Sequence, residues 1–122
     1  MMIHISDKCR YLLYSGEADM RQSFHGLAAI VKYQMQLDVL NGDVYIFISK
    51  HRNAMKLMRF EGDGFAIFYK RLEKGTFEVP AYDSKSGAMK ISDNELIFIL
   101  KGVSLKRIKY RPRYSQIVSS CE

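Results

Sequence analysis

Apolar and polar residues in the middle of the chain are arranged as three consecutive β-strands joined by short turns. The predicted strands are residues 43–49 (DVYIFIS), 55–61 (MKLMRFE) and 64–70 (GFAIFYK). Short apolar runs bounded by turn-forming residues are typical of strands, and Gly62 with Asp63 is typical of a tight hairpin. The pattern therefore predicts an antiparallel meander.

The first of these strands is apolar on both of its faces. Val44, Ile46 and Ile48 point to one side of the predicted sheet, and Tyr45 and Phe47 point to the other. A strand of this kind has to be covered on both sides. A helix can cover one face, and the C-terminal segment or a second chain is needed for the other.

The segment before the meander has the spacing of an amphipathic helix. Asp19 and Gln22 form a capping-box-like pair at its start, and the helix should end by Asp38, because an Asn-Gly turn follows. The apolar positions lie on one stripe: Met20, Phe24, Leu27, Ala28, Val31 and Met35. One long helix is therefore predicted, preceded by a short strand at residues 9–14.

The C-terminal third contains a second, shorter helix with clear boundary signals. Residues 81–90 (AYDSKSGAMK) have the composition of a loop, and Ser92 with Glu95 then forms a capping box. Gly102 stands where a helix C-cap belongs. The predicted order is β-α-β-β-β-α, an α+β domain in which three to four strands pack on the long helix. We assign residues 1–103 to this domain and residues 104–122 to a basic tail.

Composition places the chain among ordinary folded domains. It has 122 residues, of which 48% are hydrophobic and 26% charged, as expected for one domain with its own core. Cys9 and Cys121 are not part of a Cys/His cluster, so no metal site or cofactor is predicted. The N-terminus lacks signal-peptide features, and no apolar run is long enough to span a bilayer. We therefore expect a cytoplasmic protein without membrane contact.

The net charge of +6 is concentrated near the C-terminus. Residues 101–114 contain six basic residues and no acid, and the rest of the chain is balanced. A concentrated positive segment on an otherwise neutral domain indicates a polyanionic partner. The six are Lys101, Lys106, Arg107, Lys109, Arg111 and Arg113.

Catalytic chemistry has little support in the sequence, and we predict no catalytic residue. The three histidines are scattered without a nucleophile beside them, and no phosphate-binding glycine loop occurs. Carboxylates are frequent enough for a metal-dependent nuclease, which would hold several of them around its ions. Their positions in turns and at a helix start favour structural roles instead. The acids considered are Asp19, Asp43, Asp63 and Glu73.

Basic residues interleaved with aromatic ones are the remaining signal for function. Such residues can contact phosphates, while tyrosine rings can stack on exposed bases. The alternative is a solvated polar face with the tyrosines packed inward. The candidates within the domain are Arg21, Lys50, Arg52, Lys56, Lys70, Arg71 and Lys74, and those in the tail are Lys106, Arg107, Lys109, Arg111 and Arg113. For Arg21, an internal salt bridge is the favoured alternative.

Three ordered blocks of the sequence resemble a known family. They lie within residues 19–27 (DMRQSFHGL), 40–47 (LNGDVYIF) and 64–77 (GFAIFYKRLEKGTF). Together they resemble the TnpB accessory proteins of the insertion-sequence-66 group of bacterial transposable elements, over about residues 3–102. The resemblance implies a small protein that is encoded beside a separate, larger transposase and is needed for efficient transposition.

Three hypotheses for function follow from the residues and the resemblance. The first is a non-catalytic accessory protein for transposition that binds DNA, the partner transposase or both. The second is a protein-interaction adaptor that never contacts nucleic acid, with the transposase or a second copy as a homodimer covering an apolar sheet face. The third is a metal-dependent nuclease.

Overall fold

Five β-strands form one sheet in the computed structural model, which describes residues 5–80 and 87–102. Their order across the sheet is β4-β3-β2-β1-β5. The strands are β1 (Tyr11–Tyr14), β2 (Val44–Ile48), β3 (Ala54–Phe60), β4 (Phe65–Arg71) and β5 (Ala88–Ile91). The α+β class is confirmed, and the sheet has one strand more than predicted.

The predicted meander is confirmed, but the sheet as a whole is mixed. β2, β3 and β4 pair antiparallel in chain order, and their ends lie within about one residue of the predicted ones. β1 pairs parallel with β2 and antiparallel with β5. Because parallel neighbours cannot be joined by a hairpin, the chain crosses one face of the sheet between β1 and β2, and the first helix lies on this crossover.

Two helical segments cover the two faces of the sheet. The first, α1 (Phe24–Ala29), continues as a π-helical turn (Ile30–Gln34), and the second is α2 (Asp93–Lys101). On the α1 face, Leu27 and Val31 pack in one core with Tyr45 and Phe47. On the opposite face, α2 and β2 share a second core, formed by Leu96 and Ile99 with Val44, Ile46 and Ile48. The face predicted to need the C-terminal segment or a second chain is therefore covered by α2.

The first helix is shorter than predicted and begins later. Its N-cap is Ser23, whose side chain makes no capping hydrogen bond. The Asp19 carboxylate instead accepts from the backbone N–H of Arg21, 2.9 Å away, and a local turn of this kind competes with helix formation. Gln22 does not complete a capping box, because its Oε1 is buried without a hydrogen-bond partner among the described residues. The prediction of one long helix capped by Asp19 was wrong for this reason.

The fifth strand lies where a loop was predicted. β5 is only four residues long and directly follows Gly87, so its sequence has few strand signals. A Cβ atom at Gly87 would lie 2.0 Å from the backbone oxygen of Gln34. Only glycine allows the start of β5 to approach the end of the first helical segment this closely.

The second helix has the predicted boundaries. Ser92 Oγ accepts from the backbone N–H of Glu95, and the Glu95 carboxylate accepts from the backbone N–H of Ser92, both at 3.1 Å. Gly102 ends the helix in the left-handed region, with φ of +78°. Reciprocal capping at the start and a left-handed glycine at the end explain why the boundaries of this helix could be predicted from the sequence.

The two N-cap serines give a matched test of capping. We expect Ser92→Ala to lower the free energy of unfolding by about 1 kcal/mol, because it leaves the Glu95 N–H without its partner. Ser23→Ala should have a much smaller effect, since the Ser23 side chain makes no capping bond. Urea unfolding of both variants measures the difference, and equal losses would contradict this account of α2.

The predicted basic tail, residues 104–122, lies outside the described residues. In the part of the chain that the structure describes, neither helical segment is long and apolar enough to cross a membrane.

Candidate nucleic-acid interface

One end of the sheet gathers basic residues from two connections and a strand end. Lys50 and Arg52 lie in the turn between β2 and β3, Lys74 lies in the loop after β4, and Arg71 is the last residue of β4. Arg71 is in register with Ala54, the first residue of β3. We call Lys50, Arg52, Arg71 and Lys74 the basic end of the sheet, and all four are exposed.

Backbone hydrogen bonds hold the two connections of the basic end together. The N–H of Leu72 donates to the Asn53 carbonyl at 2.8 Å, and the N–H of Phe77 donates to the Arg52 carbonyl at 2.7 Å. Arg52 adopts a left-handed backbone conformation with φ of +59°, which is uncommon for a residue other than glycine. The loop after β4 is thus fixed against the β2–β3 turn, and residues distant in sequence share one surface.

A cleft of about 200 Å³ opens at this end of the sheet. Its lining includes Lys50 and Arg52 on one side and the segment after β1, with Ser15, Gly16 and Glu17, on the other. The charged residues of the lining are two cations and one carboxylate, and the rest are small, hydroxyl-bearing or apolar residues. The balance is positive, and a phosphate group is the kind of ligand that such a lining favours.

Lys70 and Arg71 are neighbours in sequence, but β4 places them on opposite faces of the sheet. Lys70 Nζ donates to the Leu100 carbonyl at the C-terminal end of α2, at 3.0 Å. A cation at a helix C-terminus stabilises the carbonyls that lack intrahelical partners. Lys70 therefore has a structural contact, while Arg71 remains exposed on the α1 face.

The Lys70 contact also fixes where the described chain ends. Because α2 finishes beside Lys70 near the end of β4, Lys101 and Gly102 lie at the same end of the sheet as Arg71. Lys101 is exposed in the last turn of α2. The described chain, which reaches Gly102, therefore ends at the basic end.

Arg21 forms the predicted internal salt bridge. Its Nη2 lies 2.8 Å from Asp19 Oδ2, and its Nε lies 3.1 Å from each carboxylate oxygen. The side-chain hydrogen bonds from Arg21, followed by that from its backbone N–H, lower the pKa of Asp19 from 3.8 to about 2. The Arg21 side chain is 91% exposed, so the charge is partly neutralised but accessible.

The Asp19 carboxylate offers a direct titration test. Its lowered pKa means that its contribution to stability is present above the ordinary pKa and is lost as pH falls from about 4 towards 2. We expect carboxyl NMR to give a midpoint near 2 in the parent protein and closer to 3.8 in Arg21→Ala. An unchanged midpoint in the variant would show that Arg21 is not the cause.

Lys56 occupies a partly buried position between the chain segment before α1 and the edge strand. Its Nζ donates to the Gln22 carbonyl at 2.7 Å and lies 5.3 Å from the centre of the Tyr69 ring. A cation over an aromatic face is held there by the ring's charge distribution. Of the candidates within the domain, Lys56 and Lys70 therefore have internal contacts, and Arg21 is paired with an acid.

Carboxylates do not converge in the described part of the chain. Asp19 is held by Arg21, and Asp43 is bonded by Arg10 at the other end of the sheet. Among residues 5–80 and 87–102, no three His, Cys, Asp or Glu side chains are grouped so that they could hold a metal ion. The arrangement that the nuclease hypothesis requires is not formed by these residues.

Five of the candidate residues lie in the tail, outside the described residues: Lys106, Arg107, Lys109, Arg111 and Arg113.

The exposure of Phe24 was not predicted from the sequence. Its place in the apolar stripe predicted that it faces the core, yet 40% of it is exposed. The predicted helix began at Asp19, which placed Phe24 within it, so the sequence carried no signal for this exposure; in the structure Phe24 is the first residue of α1.

Comparison with known proteins finds a matching family and similar sequences. A sequence model of the family described as IS66 Orf2-like protein matches residues 9–110, which includes the beginning of the basic tail. Two uncharacterized proteins of Sinorhizobium fredii are similar along most of their length. Protein y4hO is 30% identical over 102 residues, covering 84% of this chain and 87% of that protein. Protein y4jC is 29% identical over 111 residues, covering 91% and 93%. No solved structure matches.

Proposed function

The chain belongs to the IS66 Orf2-like family, and from this membership we propose that it is a non-catalytic accessory protein of transposition that binds DNA through the basic end of its sheet. The family assignment supports a role associated with an insertion sequence. We place the protein in the bacterial cytoplasm, beside the DNA of its element and the element's transposase.

The observation that carries the proposal is the shared location of the basic residues. Lys50, Arg52, Arg71 and Lys74 lie at one end of the sheet, and α2 ends at Lys101 at the same end of the sheet. Charges that are close in space form a stronger attractive field for a polyanion than the same charges dispersed. The exposed charges at this end of the domain can therefore meet one stretch of phosphates.

The expected mode of binding is contact with the phosphate backbone. Lysine and arginine side chains on turns position a protein on DNA without reading its sequence. Both described helical segments, α1 and α2, pack their apolar faces against the sheet. We therefore propose binding with little base preference, with selection of the site left to the transposase.

An adaptor role is the second candidate, and a specific observation favours it. Among residues 5–80 and 87–102, four large apolar or aromatic side chains are exposed, and exposed groups of this kind occur at protein–protein contacts. The partner would be the transposase or a second copy of this chain. The four residues are Phe24, Tyr33, Leu40 and Tyr69.

A salt titration of DNA affinity tests the proposal. We expect the full chain to bind duplex DNA with a steep log–log dependence on salt, because each neutralised phosphate contributes about −0.9 to the slope. Replacing the five basic residues of the tail by glutamine should reduce the slope by up to about 4 to 5. These residues are Lys106, Arg107, Lys109, Arg111 and Arg113.

A parallel pull-down with the transposase separates the two candidates. Capture that survives nuclease treatment, together with no affinity for DNA at low salt, would replace the DNA-binding proposal with the adaptor role. Salt-dependent affinity for DNA in the purified chain supports the proposal, whether or not the transposase is also captured.

A further inference from the structure

The edge strand β4 is only partly covered by the first helical segment. Every residue of β2 is buried, whereas no residue of β4 is fully buried. The helix begins at Phe24, beside Phe65 at the start of β4, and its far end packs against Gly87, which precedes β5 at the opposite edge. It therefore crosses the sheet diagonally and leaves most of the α1 face of β4 open.

Aromatic side chains line this open strip. Tyr69 is 49% exposed and Phe24 is 40% exposed, and the rings of Phe24 and Phe65 are stacked with centroids 5.7 Å apart. Phe65 and Tyr69 are four residues apart on one face of β4, which corresponds to about 14 Å along the strand. We call Phe24, Phe65 and Tyr69 the aromatic edge.

The charges beside the aromatic edge are mostly positive at its Tyr69 end. Lys56 Nζ lies over the Tyr69 ring, and Arg71, two residues further along the same face, belongs to the basic end. Asp19, an acid close to Lys56, is offset by its pair with Arg21 and by the nearby charge of Lys56. Glu73 is exposed in the loop after β4, between Arg71 and Lys74 in sequence. Asp63 lies in the hairpin before β4, at the other end of the strip.

We propose that the aromatic edge binds the unpaired bases of single-stranded DNA, while the phosphates of the same strand contact Arg71 and the other residues of the basic end. This inference rests on the proposed function and specifies its substrate. An exposed ring flanked by cations is the combination that holds single strands, because every base has a face that can stack. In a duplex those faces are covered by neighbouring bases, so duplex DNA can use only the basic end.

A protein partner is the other class of ligand for an exposed aromatic surface. The cations beside Tyr69 favour the nucleic acid, since they complement phosphates and continue directly into the basic end. The aromatic edge therefore adds base stacking to a surface whose charge already suits the DNA backbone.

The experiment compares tyrosine variants of the full chain on two DNA substrates. We expect Tyr69→Leu to lower affinity for a thymidine oligonucleotide of about 16 nucleotides by roughly tenfold, while affinity for a duplex of the same length is unchanged. Tyr69→Phe keeps the stacking surface and should bind like the parent. Tyr33→Leu is the matched control, because Tyr33 is also exposed and also has a lysine over its ring, at 5.2 Å, but lies on the helix.

Several outcomes overturn the inference and leave the proposed function standing. Equal losses for both DNA forms in Tyr69→Leu, no loss for either, or an equal effect of Tyr33→Leu would each do so. Reduced capture of the transposase with unchanged affinity for the oligonucleotide would assign the surface to a protein. If replacing the residues of the basic end left the affinity for duplex DNA unchanged, the proposed function itself would be wrong. Far-UV circular dichroism of each variant verifies that the fold is retained.

Discussion

Replacing all four residues of the basic end by glutamine should weaken duplex binding by about 100-fold or more at about 50 mM salt. Lys50, Arg52, Arg71 and Lys74 are exposed and come together at the ends of β2, β3 and β4. Each lost phosphate contact should also reduce the salt slope by about one. Because none of the four has an ion-pair partner among the described residues, the fold should be little affected.

A matched pair of double variants shows whether position or total charge matters. Lys50 and Lys74 lie at the basic end, whereas Lys8 and Lys90 line a cleft at the opposite end of the sheet, together with Asp7 and Asp93. Both double replacements by glutamine remove the same charge. We expect the first to lower DNA affinity several times more than the second, as measured by fluorescence anisotropy. Equal losses would mean that net charge alone drives binding, and the proposed interface would then be wrong.

The parts of the fold that were predictable from sequence are those with local signals. The β2–β3–β4 meander is bounded by turn residues, and α2 begins with a reciprocal Ser92–Glu95 cap. β5 has no such signal, because its pairing with β1 depends on the close approach of Gly87 to Gln34. An element specified by a tertiary contact cannot be identified from the periodicity of its own residues.

The candidate site shows the same division between local and tertiary information. Strand alternation alone separates Lys70 from Arg71, so their opposite faces could have been predicted. The meeting of Arg52 with the loop that carries Lys74 depends on the register of β3 with β4 and on two backbone hydrogen bonds. The position of Lys101 at the same end of the sheet depends on α2 and on the Lys70 contact with Leu100. Charge patterning identified the residues, and only the folded chain brought them together.

Phe47→Ala should lower the free energy of unfolding by about 3 to 5 kcal/mol, the range found when a buried phenylalanine is truncated in a core. Phe47 is fully buried in β2, where it packs in one core with Leu27 and Val31 on the α1 side. On the opposite face of the sheet, Leu13, Ile46 and the residues that pack with them against α2 hold the strands in place. The neighbours of Phe47 can therefore move little into the cavity that the alanine leaves, and we expect nearly the full loss of stability.

Phe24→Ala removes the same atoms from a position that is 40% exposed and should cost much less, because water already contacts the ring. Urea unfolding of Phe47→Ala and Phe24→Ala gives the comparison. A large difference would establish that the crossover helix covers the centre of the sheet and leaves its β4 edge open. Similar losses would mean that Phe24 is covered in solution, by another part of this chain or by a second copy. The aromatic edge would then not be available to DNA.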